Sequence, residues 1–147
     1  SDVHKIIEGA LILLKNEYKS TIEIEKKFSE DLPLIECNFG QISQVVLNIL
    51  TNAIQAIDKE GKLIISTSSS AESISISIRD TGKGMDEETL EHIFDPFFTT
   101  KEVGAGTGLG LSISYGIVKD HMGEIKVISE VNKGAEFIVI LPINRPS

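Results

Sequence analysis

The fold is decided by one uncharged stretch of the sequence, NFGQISQVVLNILTNAIQAI, which occupies residues 38–57. Its length and its leucine, alanine, glutamine and isoleucine content predict a helix. The length would also suit a membrane span, but the six asparagine and glutamine side chains are too polar for hydrocarbon. We therefore expect a helix of a soluble, cytoplasmic domain, and the sequence leaves open whether the parent protein is anchored in the inner membrane.

The amide side chains of this helix recur at intervals of three or four residues and so share one face. They are Gln41, Gln44, Asn48, Asn52 and Gln55. One interpretation is an ordinary solvated polar face. The other is a cation site, because amide oxygens are hard ligands that Mg²⁺ accepts, and Mg²⁺ needs only one or two from the protein.

The pattern on either side of this helix predicts a mixed set of elements. Helical spacing indicates helices over residues 3–19 and 109–122, and a short helical turn at 87–93. Period-two alternation or a short extended character indicates strands at residues 21–25, 33–37, 63–67, 74–78, 124–129 and 136–141. Helices interleaved with hairpin-connected strands imply one two-layer α/β sandwich spanning residues 1–147.

Charge and cysteine content exclude several classes of protein. The chain has 147 residues and a formal net charge of −8, which argues against a nucleic-acid partner because phosphate backbones are held by clustered lysine and arginine. Its single cysteine, Cys37, excludes an internal disulfide. An anionic ligand would need local charge compensation.

Two glycine-rich segments lie in a long loop predicted between residues 80 and 110. The first is Asp80-Thr81-Gly82-Lys83-Gly84, which by itself suits an ordinary turn equally well. The second places glycines at alternate positions 104–110, directly before a helix, where free N–H groups and the helix dipole favour a phosphate. Its spacing fits neither the dinucleotide-binding motif nor the P-loop.

Taken together, five short motifs resemble the ordered boxes of histidine-kinase catalytic domains, within the gyrase, chaperone and mismatch-repair ATPase superfamily. The motifs are Asn48-x-x-x-Asn52-Ala53, Asp80-x-Gly82-x-Gly84, Phe94-Asp95-Pro96-Phe97-Phe98, Gly106-Thr107-Gly108-Leu109-Gly110-Leu111 and Gly134-Ala135-x-Phe137. The resemblance covers nearly the whole chain. It implies the Bergerat fold, a mixed, mostly antiparallel sheet of about five strands backed by about three helices, with ATP between the helices and a mobile lid.

The resemblance also implies roles for individual residues. Asn52 resembles the family's Mg²⁺ ligand, and Asn48, one turn before it, is a second metal and catalytic candidate. Asp80 resembles the carboxylate that accepts a hydrogen bond from the adenine amino group. Nucleotide-binding positions are implied at Gly82, Gly84, Phe94, Gly106, Thr107, Gly108, Leu109 and Gly110. Lys101 is a candidate catalytic counter-charge for the phosphates, with a solvated loop lysine as the alternative.

Three positions depart from the family pattern. Gln55 stands where the family often has a basic, phosphate-facing residue, so more charge compensation falls on Mg²⁺ and Lys101. Ala135 replaces the usual threonine or serine near the adenine, which puts one base contact in doubt. His121 precedes a methionine and a glycine instead of two glycines, and we interpret it as a structural residue.

The residue at position 48 decides between hydrolysis and transfer. Hydrolytic members of the superfamily have a glutamate there, and an amide cannot serve as a general base. The resemblance therefore implies that MgATP donates its γ-phosphoryl group to a histidine on the protein's own dimerisation domain. No His-Glu/Asp-x-x-x-Pro motif is present, so we expect that domain upstream of this chain.

The same resemblance implies the partners: the dimerisation domain, a homodimeric parent protein, and the receiver domain of a response regulator. Two alternatives remain. A nucleotide-sensing module would bind ATP without transferring it. A stand-alone ATPase is disfavoured by Asn48.

Overall fold

The computed structural model describes residues 1–18, 21–95 and 110–144. Helices and strands are interleaved along the chain, as the sequence pattern indicates. In order they are α1 (Val3–Leu13), α2 (Lys15–Tyr18), β1 (Ile22–Lys27), α3 (Phe39–Ala56), β2 (Gly61–Ser69), β3 (Ser73–Asp80), α4 (Glu87–His92), α5 (Gly110–Asp120), β4 (Glu124–Ser129) and β5 (Ala135–Pro142).

The strands form a single five-stranded sheet in the order β1-β2-β3-β5-β4. Only β1 and β2 are parallel, and the other three pairs are antiparallel. Period-two alternation assigns the two faces, since the isoleucines of β3 are buried while the serines between them face outward. The predicted two-layer sandwich with a mixed, mostly antiparallel sheet is confirmed.

The uncharged stretch at residues 38–57 forms the central helix α3, which packs on the inner face of the sheet between α1 and α5. Asn38 caps its N-terminus, where the side-chain oxygen accepts a hydrogen bond from the Gln41 N–H at 3.0 Å. Its apolar stripe is buried and consists of Ile42, Val45, Val46, Ile49, Leu50, Ala53 and Ile54. The amide row therefore lies away from the sheet, where it meets α5 and solvent.

Two predicted elements differ from the structure. The helix expected over residues 3–19 breaks at Leu14, which leaves helical geometry and turns its side chain into the core, so that a one-turn helix follows. The strand expected at residues 33–37 is absent. That segment makes isolated backbone bonds, from Ile35 N–H to Ser1 O and from Glu36 N–H to Ile143 O, instead of a ladder with one neighbour.

No helix in the described ranges is long and apolar enough to span a bilayer.

Candidate nucleotide-binding site

The side chain of Asp80 is a charged group at a core position. It continues the inward-facing series of Ile74, Ile76 and Ile78 on β3 and is only 1% exposed. Its Oδ1 accepts a hydrogen bond from Gly82 N–H at 2.8 Å, whereas Oδ2 is buried with no partner in the described structure. A buried acceptor without a donor is costly and so marks a place where a ligand can supply one.

Burial raises the pKa of Asp80 because desolvation disfavours the carboxylate, while the N–H groups of Gly82 and Ala135 lower it in part. Ala135 is the register partner of Asp80 on β5. The carboxyl group is thus stabilised in part by backbone N–H groups, while its buried Oδ2 makes no hydrogen bond of standard geometry within the described residues.

The loop after Asp80 packs so tightly against the protein's own backbone that glycine is needed there. A Cβ at Gly82 would lie 2.3 Å from the carbonyl oxygen of Ala56, at the end of α3. Gly84 has a φ of +68°, and a Cβ on it would lie 1.9 Å from the carbonyl oxygen of Glu130. The expected approach of these glycines to a base and sugar stays a prediction, and the contacts observed are within the chain.

The turn between β4 and β5 fixes this loop from the other side. The hydroxyl of Ser129 accepts from Met85 N–H and donates to Gly134 O, both at 2.8 Å. Asn132 N–H donates to Lys83 O at 2.7 Å. No motif in the sequence marks Ser129, although it shares the inward phase of β4 with buried Ile125.

The second part of the candidate site is the amide row of α3, where Asn48 connects this helix to α5. Its Nδ2 donates to Gly110 O at 3.0 Å and to Ser114 Oγ at 3.1 Å. Its Oδ1 accepts from Gln44 Nε2 at 2.7 Å. Asn52, one turn further on, is half-buried and makes no hydrogen bond within the described ranges, so its amide oxygen is available as a ligand.

These two amides fit a hard divalent cation. Carbonyl oxygens of asparagine are suitable ligands for Mg²⁺, which also binds phosphate oxygens and water. Both side chains project from one face of α3, a turn apart, and neither is fully buried. The pair is therefore a candidate Mg²⁺ site.

An aromatic contact connects the segment that follows α4 to α5. The ring of Phe94 is half-buried and lies 5.2 Å from the ring of Tyr115 on α5. Beside it, His92 Nδ1 and Asp95 Oδ2 are 2.8 Å apart, and this contact raises the pKa of His92. Phe94 thus packs against α5, the helix that Asn48 also contacts.

His121 is structural, as predicted. It is 1% exposed; its Nδ1 donates to Ile117 O at 2.9 Å, and its Nε2 accepts from Asn38 N–H at 3.1 Å. This fixes the tautomer of the imidazole and joins the C-terminal end of α5 to the N-cap of α3. Together with Asn48, His121 sets how these two helices pack.

Several predicted site residues lie outside the described residues. They are Lys101, Gly106, Thr107, Gly108 and Leu109, together with Phe97 and Phe98 of the phenylalanine motif. Gly110 is described as the first residue of α5. Among the described residues, a Cβ on it would meet Asn48 at an ordinary 3.6 Å, so packing against this part of the chain does not require glycine there.

The features described so far are a mixed sheet backed by helices, a buried carboxylate at the end of β3 and a row of amides on α3. The chain belongs to the histidine kinase-, DNA gyrase B- and HSP90-like ATPase family, whose sequence profile matches residues 38–145.

Individual relatives show which members of this family the chain is similar to. Sporulation kinase C of Bacillus subtilis (strain 168) is 43% identical over 147 residues, which is 99% of this chain and 34% of that protein. The nucleotide-free catalytic domain of histidine kinase ThkA superposes with a TM-score of 0.85 at 34% identity, covering 97% of this chain and 95% of that one.

ThkA has also been solved in complex with the response regulator protein TrrA. That structure matches with a TM-score of 0.82 at 28% identity, covering 97% of this chain and 41% of the other. The chain is thus a catalytic ATP-binding domain of the sensor histidine kinase type. It spans 34% of the length of sporulation kinase C and 16% of that of the sensor kinase CckA of Brucella abortus (strain 2308).

Proposed function

We propose that this domain binds MgATP and donates the γ-phosphoryl group to a histidine on the dimerisation domain of its own parent protein. The observation that carries the proposal is the buried, unpartnered Oδ2 of Asp80. The amino group of adenine is a donor that would satisfy this oxygen. Guanine would present a carbonyl oxygen at the same place and leave two acceptors facing each other, so the pocket favours ATP over GTP.

Asn52 and Asn48 would hold the Mg²⁺ ion, which neutralises phosphate charge when it is bound. Asn52 offers an uncommitted amide oxygen, and Asn48 offers the oxygen that it also shares with Gln44. Because Gln55 supplies no positive charge beyond them, the metal carries more of the compensation, together with Lys101.

Transfer to a histidine is favoured over hydrolysis because α3 carries no general base. The helix contains no carboxylate from Phe39 to Ala56, and the Nδ2 of Asn48 is occupied as a donor. Water needs a base to remove its proton as it attacks. A neutral imidazole attacks with its own lone pair, so the phosphorus–nitrogen bond forms as the bond to the leaving ADP oxygen breaks.

The remaining parts of the proposal concern the parent protein. We infer that residues 1–147 act as one catalytic unit facing the cytoplasm, in a homodimer whose dimerisation domain carries the histidine. We further infer that a response-regulator receiver domain takes the phosphoryl group onward. The complex of ThkA with its response regulator supports that partner.

The test uses ATP labelled at the γ-phosphate. Incubated alone, the domain should release phosphate very slowly, because a positioned general base is worth about 10²–10⁴-fold in rate. Addition of the parent's histidine-bearing segment should give that segment an acid-labile label. The same segment with its histidine replaced by glutamine is the matched control. Rapid phosphate release by the domain alone, with no label on the segment, would contradict transfer and favour hydrolysis.

A further inference from the structure

The hydroxyl of Ser114 is a buried polar group that the proposed chemistry does not use. Ser114 begins the second turn of α5, faces α3 and is 0% exposed. Its Oγ donates to the carbonyl oxygen of Gly110 at 2.9 Å, which commits the only hydroxyl proton. The lone pairs of the same oxygen accept a hydrogen bond from Asn48 Nδ2 at 3.1 Å.

These contacts decide which way the amide of Asn48 faces. The nitrogen and oxygen of an amide are similar in size, so shape alone allows either to point at α5. Gly110 O and Ser114 Oγ, however, both present acceptors toward Asn48. Only the Nδ2 group can satisfy both, and the reversed amide would place its oxygen against a carbonyl. The Oδ1 atom is therefore turned away from α5.

The Oδ1 atom retains capacity for a ligand. It accepts one hydrogen bond, from Gln44 Nε2 at 2.7 Å. A carbonyl oxygen has two lone pairs, so one is left. Asn48 thus offers one free lone pair on the side away from α5, on the face of α3 that also carries Asn52.

We propose that Ser114 is a positioning residue for the metal site: by holding Asn48 Nδ2, it directs Asn48 Oδ1 toward the Mg²⁺ of the bound nucleotide. This inference rests on the proposed function, in which Asn48 and Asn52 hold that ion. Packing alone does not explain a serine here, because alanine is a better helix former and leaves no buried hydroxyl.

Calorimetric titration of the domain with ATP, in Mg²⁺ and in EDTA, tests the proposal. Ser114→Ala should weaken binding in Mg²⁺ by about three- to tenfold, the size expected for one hydrogen bond, and change binding in EDTA by less than about twofold. Asn48→Ala should weaken Mg²⁺-dependent binding at least as much. Because Ser114 acts through Asn48, the double variant should bind no more weakly than Asn48→Ala.

Three further variants serve as controls or as an alternative substitution at Ser114. Thr51→Ala removes a hydroxyl that bonds only Leu47 O on the same helix, and both affinities should stay at the wild-type value. Ser129→Ala loosens the loop beside Asp80 and should weaken binding with and without Mg²⁺ alike. Ser114→Cys fills the same space with a weaker acceptor, so it gives the same comparison if Ser114→Ala fails to fold.

A measurement without nucleotide provides an independent readout. The two Nδ2 protons of Asn48 should exchange slowly with solvent in the wild-type domain by nuclear magnetic resonance, and clearly faster in Ser114→Ala. An unchanged exchange rate, or equal losses of affinity with and without Mg²⁺, would overturn the positioning role. If Asn48→Ala itself leaves Mg²⁺-dependent binding intact, the metal role of Asn48 fails. If only Ser114→Ala leaves it intact, the proposed function stands and this inference falls.

Discussion

The loop around Asp80 and the amide face of α3 are held in place by different parts of the chain. Around Asp80 every contact of the loop involves the backbone: Lys83 N–H donates to Ala56 O, Asn132 N–H donates to Lys83 O, and the Ser129 hydroxyl bonds Met85 N–H and Gly134 O. Around Asn48 the contacts involve side chains, with Gln44 on one side and Ser114 on the other. The conformation of the Asp80 loop therefore depends mainly on the path of the backbone. The arrangement of the α3 amides depends on the identity of the neighbouring side chains.

This difference indicates how each region can respond to a ligand. We expect backbone held by close glycine contacts and by the β4–β5 turn to keep its shape whether or not a base is present, so that the proposed adenine site is preformed. The energetic cost of this arrangement is the buried Oδ2 of Asp80, which has no partner among the described residues. The hydrogen bonds of Asn48 with Gln44 and Ser114 each contribute about 0.5–1.5 kcal/mol. We therefore expect single substitutions to change the orientation of the Asn48 amide. Three experiments test this contrast.

The largest effect is expected for Gly84→Ala. At a φ of +68°, with a carbonyl oxygen 1.9 Å from the new Cβ, alanine strains the backbone and pushes the loop away from Glu130. The free energy of unfolding should fall by more than about 2 kcal/mol, and ATP binding should weaken with it. Thermal unfolding and calorimetry measure the two quantities.

Gly116→Ala is the matched control for this substitution. Gly116 lies within α5, and no atom of the described residues comes within 4 Å of its added Cβ, so alanine should raise the free energy of unfolding by about 0.5–1 kcal/mol. Opposite signs for the two variants are expected. A Gly84→Ala domain with normal stability and normal ATP affinity would show that the loop is not held by its backbone.

Asp80→Asn should separate stability from binding. It removes a buried charge while keeping an acceptor for Gly82, so the free energy of unfolding without nucleotide should rise by about 1 kcal/mol, or about 3 °C in Tm. ATP affinity should fall about tenfold or more, because the new amide presents a donor to the adenine amino group. Affinity for GTP should rise relative to ATP.

Asp58→Asn, which changes an exposed carboxylate just beyond α3, is the control for the loss of charge. It should alter neither the Tm nor the ratio of ATP to GTP affinity appreciably. An Asp80→Asn domain that binds ATP as tightly as the wild type would remove Asp80 from the base pocket.

The smallest effect is expected from pH. Because burial raises the folded-state pKa of Asp80 above 3.8, its ordinary value, the ionised carboxylate destabilises the fold at neutral pH. That penalty should lessen as the pH falls through the folded-state pKa and vanish below 3.8. The stability advantage of Asp80→Asn should shrink over the same range, and wild-type ATP affinity should fall as the acceptor is protonated.

Denaturant titrations of both proteins at a series of pH values, at constant ionic strength, provide the comparison. An advantage of Asp80→Asn that grows on acidification would have the wrong sign for a carboxyl group whose pKa is raised by burial.

Local sequence patterns predicted most of the fold, because the spacing of apolar residues indicates which face of a helix or strand is buried. The amide-bearing helix, the β2–β3 hairpin and the β4–β5 hairpin were all predicted close to their observed positions. The prediction of a strand at residues 33–37 is wrong. The local sequence can indicate an extended backbone, but a strand also needs a neighbouring strand to pair with. The break at Leu14 was missed, since helical spacing continues across it and only the core makes the chain turn there.

The sequence by itself determined that Asp80 ends a strand, that Asn48 and Asn52 share a helix face, and that glycines follow Asp80 at positions 82 and 84. Each of these follows from spacing within one element. Only the tertiary structure decided that Oδ2 of Asp80 lacks a partner and that Ser114 holds Asn48 across 66 positions of sequence. A hydrogen bond between helices depends on how both pack against the sheet, and no local period encodes that geometry.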